Sequence, residues 1–244
     1  MLNFKIIIEY DGTDYVGWQR QDNGPSIQEA IENAIFKLTA EKVIVFGAGR
    51  TDAGVHALGQ VAHFNLKKKF KSDNIRDGLN QYLRPQPIAV LDAEQIDENF
   101  HARFSATKRT YEYIITNRRP PLTINKNKSW GVFKTLDVKK IRDEAKFFLG
   151  KHNLEAFRSV HCQSNSAIKT IDDITIANKN NDIVITVSAK SFLHSQVRIM
   201  VGTLVEIGKG KIKISIKKII EDKLRSQAGI TAPACGLYLI KVDY

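Results

Sequence analysis

Cysteine is nearly absent from this chain: Cys162 and Cys235 stand alone, without a CxxC pair or a cysteine–histidine spacing of the zinc type. Neither a disulfide framework nor a structural metal site is suggested by that pattern, so two free thiols are expected. Long apolar runs are missing as well. No stretch approaches the roughly 20 apolar residues that a membrane-spanning helix needs. Met1 to Phe4 leads straight into strand-like sequence without the charged and apolar regions of a signal peptide. A cytoplasmic protein with no membrane partner is therefore expected. Acidic residues are in deficit, 26 Asp+Glu against 37 Lys+Arg, for a formal net charge of +11. This balance points to a polyanionic partner, because neutralising phosphates releases condensed counterions, although excess lysine also serves as a plain solvated surface.

What is present is enough for a substantial fold. The 244 residues are 43% hydrophobic, which suits one large domain or two modest ones sharing an interface. Phe4 to Tyr10 is β-branched and aromatic and closes on the turn signal Asp11-Gly12-Thr13. Ser26 and Glu29 form a capping-box pattern, and Ile27, Ala30, Ile31, Ala34, Ile35 and Leu38 follow at helical spacing. Strands are predicted over Lys42 to Phe46 and Gln60 to Leu66, and a second helix from Ser72 that ends before Pro85.

In the second half a strand is predicted over Lys108 to Thr116 and a helix over Val138 to Leu149. A hairpin over Ile171 to Ala177 and Ile183 to Ala189 follows, then a helix over Phe192 to Ile207 and a strand over Gly236 to Val242. Strands interleaved with helices in both halves give an α+β class: two related subdomains whose antiparallel or mixed sheets form a central sheet flanked by helices. The boundary is placed at residues 1–105 and 106–244.

Several constellations are able to carry chemistry. Gly47, Gly49 and Gly54 sit in FGAGRTDAGVH, Phe46 to His56, but fit neither GxGxxG nor GK[ST], so the dinucleotide and P-loop readings fail. Asp52 within that loop is either an Asx-turn residue or a nucleophile or base in a pocket that also attracts phosphate, with Arg50 as the nearest cation. His56 joins such a site or serves as a structural donor. On the helix from Phe192, Arg198 lies beside an apolar stripe and wants a carboxylate, supplied by Asp52 or by Glu206 or Asp222 unless it reaches solvent. Tyr111 and Tyr113 alternate on one strand face, as core packing or as a stacking surface for an extruded base. Trp18 reads as an apolar plug under a loop. The runs Lys67 to Lys71, Arg118-Arg119 and Lys209 to Lys218 are phosphate contacts if they share one side and solvated faces otherwise.

Five segments in order, YDGTDYVGWQRQ (Tyr10 to Gln21), GRTDAGVHALGQV (Gly49 to Val61), FHARFSATKRTYEY (Phe100 to Tyr113), FLHSQVRIMVGTLVEIG (Phe192 to Gly208) and AGITAPACGLYL (Ala228 to Leu239), closely resemble the bacterial tRNA pseudouridine synthase A family over nearly the whole chain. The resemblance implies isomerisation of uridine to pseudouridine at positions 38, 39 and 40 of the tRNA anticodon stem-loop. It further implies no metal or organic cofactor, a homodimer, and an active-site cleft between the halves. It puts the catalytic roles on Asp52, Tyr111 and Arg198, and makes Tyr111, Arg50, Thr51 and His56 the substrate-binding set. Ile199 and Lys169 depart from the family pattern, at a neighbour of the site and at an expected RNA contact. A non-catalytic RNA-binding module is the rival reading, distinguished by whether Asp52 is needed for turnover.

Overall fold

The computed structural model describes residues 1–160 and 162–244, and these divide into two compact units. The first comprises Met1–Thr107 together with Tyr238–Tyr244, the second Lys108–Leu237. The division falls two residues after the expected boundary, and the C-terminal strand returns to the first unit instead of remaining with the second half.

In the first unit the strands β1 (Leu2–Tyr10), β2 (Phe46–Gly47), β3 (His56–Leu66), β4 (Ile88–Ile96) and β10 (Leu237–Asp243) make a mixed sheet in the order β4-β1-β3-β10, with β2 on β3. The return of β10 is explained by its parallel pairing with β3, Tyr238 opposite His56 and Leu239 opposite Ala57. The helices α1 (Ile27–Thr39) and α2 (Ser72–Leu83) pack on each other, and α2 lies against β4. Ser26 caps α1, accepting the Glu29 N–H at 3.3 Å, and Ile27, Ala30, Ile31, Ala34 and Ile35 form the buried face.

The strand predicted over Lys42 to Phe46 is realised only from Phe46. Val45 finds its backbone partners on α1: its N–H donates to the Glu32 carboxylate at 3.0 Å and its carbonyl accepts from Gln28 Nε2 at 3.2 Å. With these groups satisfied by helix side chains, no ladder forms there.

The second unit has β5 (Lys108–Asn117), β6 (Trp130–Val132), β7 (Gly150–Asn153), β8 (Ile168–Lys179) and β9 (Asp182–Ala189) in the order β5-β9-β8-β7, with β6 parallel to β5. The predicted hairpin is β8 and β9, turning at Asn180 with φ 56°. Helices α3 (Val138–Ala145), α4 (Gln196–Gly208) and α5 (Ile216–Asp222) accompany this sheet. The helix predicted over Val138 to Leu149 stops at Ala145 and tightens into a 3₁₀ turn over Lys146–Phe148.

The helix expected from Phe192 begins at Gln196 instead. Ser195 takes a left-handed φ of 56°, and the Leu193 N–H donates to Gln196 Oε1 at 2.8 Å, so the chain turns into α4 without helical residues before it. His194 therefore lies outside the helix that carries Arg198.

One buried group in the first unit gives stability a pH dependence. His63 on β3 is 4% exposed, accepts the Ala102 N–H at Nδ1, and packs against the Phe46, Phe100 and His101 rings. Burial, helped by the His101 charge and opposed by a hydrogen bond to the Phe46 backbone, pushes its pKa from 6.5 down to about 4. The unfolded chain then binds a proton that the fold refuses over that window. Stability is full above about pH 6.5 and declines towards pH 4 at up to roughly 1.4 kcal/mol per unit. Urea midpoints at a series of pH values are expected to show this decline in the wild type and a flatter profile in His63→Gln; equal profiles overturn the assignment.

Candidate active site

The loop between β2 and β3 is held from several directions by its backbone. Trp18, 3% exposed, lies beneath it, so the indole is an apolar plug as the sequence suggests. The Trp18 N–H donates to the Thr51 carbonyl at 3.1 Å, the Ala48 N–H to the Val61 carbonyl at 2.7 Å, and Gln60 Nε2 to the Gly49 carbonyl at 2.8 Å. Thr51 Oγ1 and the Tyr10 hydroxyl share a hydrogen bond of 2.9 Å. Asp52 bridges to Gly17 and opens a tight turn whose Val55 N–H donates to the Asp52 carbonyl at 3.2 Å. Gly54 occupies the third position of that turn at φ 76°, the left-handed conformation that glycine adopts without a Cβ penalty. The main chain of Asp52 is thus engaged on both sides while its side chain remains half-buried at the surface of the unit.

Thr51 and His56 are placed below the loop surface, 8% and 1% exposed. His56 stacks on Tyr238 with ring centroids 4.7 Å apart and accepts the Gly12 N–H at Nδ1, 3.1 Å. Asp11 Oδ1 also stands 3.0 Å from that nitrogen, an ion pair only if Nδ1 carries a proton, which the Gly12 bond forbids. We assign the Gly12 bond, since Asp11 Oδ1 is already satisfied by the Thr13 N–H and hydroxyl at 3.1 and 2.6 Å. His56 thereby joins the turn after β1 to the loop carrying Asp52. Arg50, by contrast, is exposed and makes no hydrogen bond or ion pair among the described residues.

In the second unit β5 directs Tyr111 and Tyr113 to one face, opposite Val187 and Ile185 of β9. They have different fates. Tyr113 is fully buried and donates its hydroxyl to the Pro233 carbonyl at 2.7 Å, and burial drives its phenol far above the ordinary value, so it is a core residue. Tyr111 is 8% exposed and meets Phe192 edge to face at 5.3 Å.

Arg198 is half-buried in the first turns of α4. Its Nε donates to the Ala232 carbonyl at 2.8 Å while its own carbonyl accepts the Ala232 N–H at 3.1 Å. Of the carboxylates offered by sequence as alternatives to Asp52, Glu206 is engaged by Lys209 and Lys211, and Asp222 by Lys218. The clamp from Ala232 is the part of this site that sequence reasoning missed. Its only signal was the run of small residues in AGITAPACG.

Among the described residues no three His, Cys, Asp or Glu side chains gather as a metal ion would require, and no helix is long and apolar enough to cross a membrane. Cys162 and Cys235 are both free.

A duplicated α+β chain of this build is a member of the tRNA pseudouridine synthase family: the family model of that description matches it over residues 6–105 and again over 145–244. Proteins named tRNA pseudouridine synthase A from Wolbachia pipientis wMel and from Maricaulis maris (strain MCS10) are 53% and 47% identical to it over 245 residues. Each alignment covers 100% of this chain, and 100% and 98% of the respective relative. A chain from the crystal structure of a Cbf5-Nop10-Gar1 complex is similar at a TM-score of 0.34 and 9% identity, over 96% of this chain and 57% of that one.

Proposed function

We propose that this protein isomerises uridine to pseudouridine at positions 38, 39 and 40 of the tRNA anticodon stem-loop, in the cytoplasm, as a homodimer and without metal or organic cofactor. The observation that carries the reading is Asp52, an acid on a backbone-anchored loop in a chain of net charge +11. In the reaction the N1–C1′ bond breaks, the uracil turns, a C5–C1′ bond forms, the C5 proton leaves and N1 gains a proton. Asp52 serves as nucleophile at C1′ or as base on the sugar, and the nucleotide must be flipped out and shielded from water throughout.

In this reading Arg198 orients and electrostatically sets the Asp52 carboxylate, and Arg50 neutralises the phosphate of the everted nucleotide. Tyr111 stacks on the base and assists removal of the C5 proton. Thr51 and His56 complete the substrate-binding set at the base of the loop, where Thr51 bonds the Tyr10 hydroxyl and His56 the Gly12 N–H.

The test of the function is tritium release from tRNA labelled at uridine C5, in the presence of a chelator. Release supports the reading, and tight tRNA binding without release favours the RNA-binding module. Tyr111→Phe separates the two tyrosine roles. The ring and its Phe192 contact are kept, so KM is expected to stay within a few-fold while kcat falls by roughly 100-fold, the size of a lost proton-transfer group. An unchanged kcat would leave Tyr111 with stacking alone.

A further inference from the structure

The end of α4 builds a basic groove that the proposed reaction does not use. A cavity of about 420 Å³ beside α3 and a second of about 320 Å³ beside β6 share Lys134 and Lys209 in their walls. Lys140 completes the cations of the first and Lys211 those of the second, and Trp130 and Phe133 line the second.

The helix end fixes this arrangement. The Gly210 N–H donates to the Ile207 carbonyl and the Lys211 N–H to the Glu206 carbonyl, both at 2.9 Å, with Gly210 at φ 74°: a Schellman turn. Lys209 and Lys211, flanking that glycine, both reach the buried Glu206 carboxylate, at 2.8 and 3.3 Å. Lys209 also lies over the Trp130 ring, 5.4 Å from its centroid. Burial works to raise the Glu206 carboxyl, and the bonds and charges of the two lysines more than reverse this, holding it charged below the usual range.

Of the two acids beside the lysines, Glu206 is buried and Asp137 is exposed. Glu206 anchors the lysines, and Asp137 caps α3 by accepting the Lys140 N–H at 2.9 Å. Four lysines face these two acids, so the groove keeps a positive surplus: Lys134, Lys140 and Lys211 are exposed even though Lys134 Nζ donates to the Lys209 carbonyl at 2.9 Å and Lys211 pairs with Glu206, and the Phe133 ring is 60% exposed beside them.

We propose that this groove binds RNA of the substrate away from the reacting uridine: two or three backbone phosphates on the lysines and one unpaired base on Phe133. The choice of RNA rests on the tRNA reading above and on the pairing of cations with an exposed aromatic ring, since lysines alone suit any polyanion whereas a ring adds a surface for a base.

The test uses the full chain, whole tRNA and a salt series from roughly 50 to 300 mM. In a Lys134→Gln/Lys211→Gln double variant the Kd is expected to rise about tenfold and the log–log salt slope to become shallower by about one per lysine, with KM following Kd and kcat at saturation unchanged. Phe133→Ala is expected to weaken binding several-fold with the salt slope unaltered, the behaviour of a lost stacking contact. Lys209 still pairs with Glu206 when Lys211 is replaced, so a thermal midpoint within a few degrees of wild type is the folding control, and Lys134→Gln alone, which leaves both Glu206 pairs intact, is expected to show about half of the slope change.

Wild-type turnover together with unchanged Kd and slope in the double variant overturns the groove and leaves the reaction standing. No turnover by wild type, with the lysine effect on binding retained, overturns the reaction and leaves the groove. A Phe133→Ala variant that binds like wild type removes the base from the proposal.

Discussion

Asp52→Asn should abolish tritium release while leaving tRNA affinity close to that of the wild type. The substitution is isosteric and asparagine is as good a turn residue as aspartate, so the Val55 bond, the Gly17 bridge and the left-handed Gly54 are expected to survive it. What disappears is the negative charge. An amide neither attacks C1′ nor abstracts a proton, and a loss of at least roughly 10⁴-fold in kcat, about 5 kcal/mol of barrier, is the scale for removing the central group of such a reaction. Binding, set by phosphate contacts and by the everted base, should change by a few-fold at most, and removal of one acid from a phosphate-attracting site pushes it tighter if anywhere. A variant with wild-type turnover would put the chemistry on another residue. One with both turnover and binding lost would show that the loop had collapsed, and circular dichroism and the thermal midpoint distinguish that case.

How much was legible in advance depended on which interactions define each part. The capped helix α1, the strand β5 and the β8–β9 hairpin were readable because their signals are local: a side-chain cap at Ser26, alternation along Arg109, Tyr111, Tyr113 and Ile115, and polar residues around Asn180. Errors came where a distant or non-periodic interaction decided. Val45 looks like strand and is held by Glu32 and Gln28 of a helix; Leu193 continues the apolar stripe of α4 but is cut off from it by a left-handed Ser195. The same contrast runs through the candidate functional residues of each unit. Asp52, Arg50, Tyr111 and Arg198 stand in recognisable motifs, whereas the contact of Ala232 with Arg198 joins residues 34 apart through backbone atoms that carry no side-chain signature.

That backbone contact makes Gly202→Ala the most damaging conservative change expected in the second unit. Gly202 lies one turn beyond Arg198 on α4, and a Cβ built there would stand 1.8 Å from the Ile230 carbonyl oxygen, 2.9 Å from its carbon and 3.3 Å from the Ala232 nitrogen. The obstacle is main chain, which cannot rotate aside as a side chain would. The segment must retreat by more than 1 Å, and three bonds travel with it: both Arg198–Ala232 bonds and the 2.9 Å bond from the Gly229 N–H to Thr203 Oγ1. Helix propensity acts in the opposite direction, favouring alanine by about 1 kcal/mol. Overpacking plus weakened buried hydrogen bonds costs roughly 3 to 5 kcal/mol, so a net loss of about 2 to 4 kcal/mol is expected in urea unfolding. Because the guanidinium of Arg198 loses its bond to the Ala232 carbonyl, kcat should fall further than KM rises in the fraction that remains folded. The sign is decisive: if the clamp were slack, propensity alone would make the alanine variant more stable than the wild type, and with it the role of Ala232 in setting Arg198 would fall.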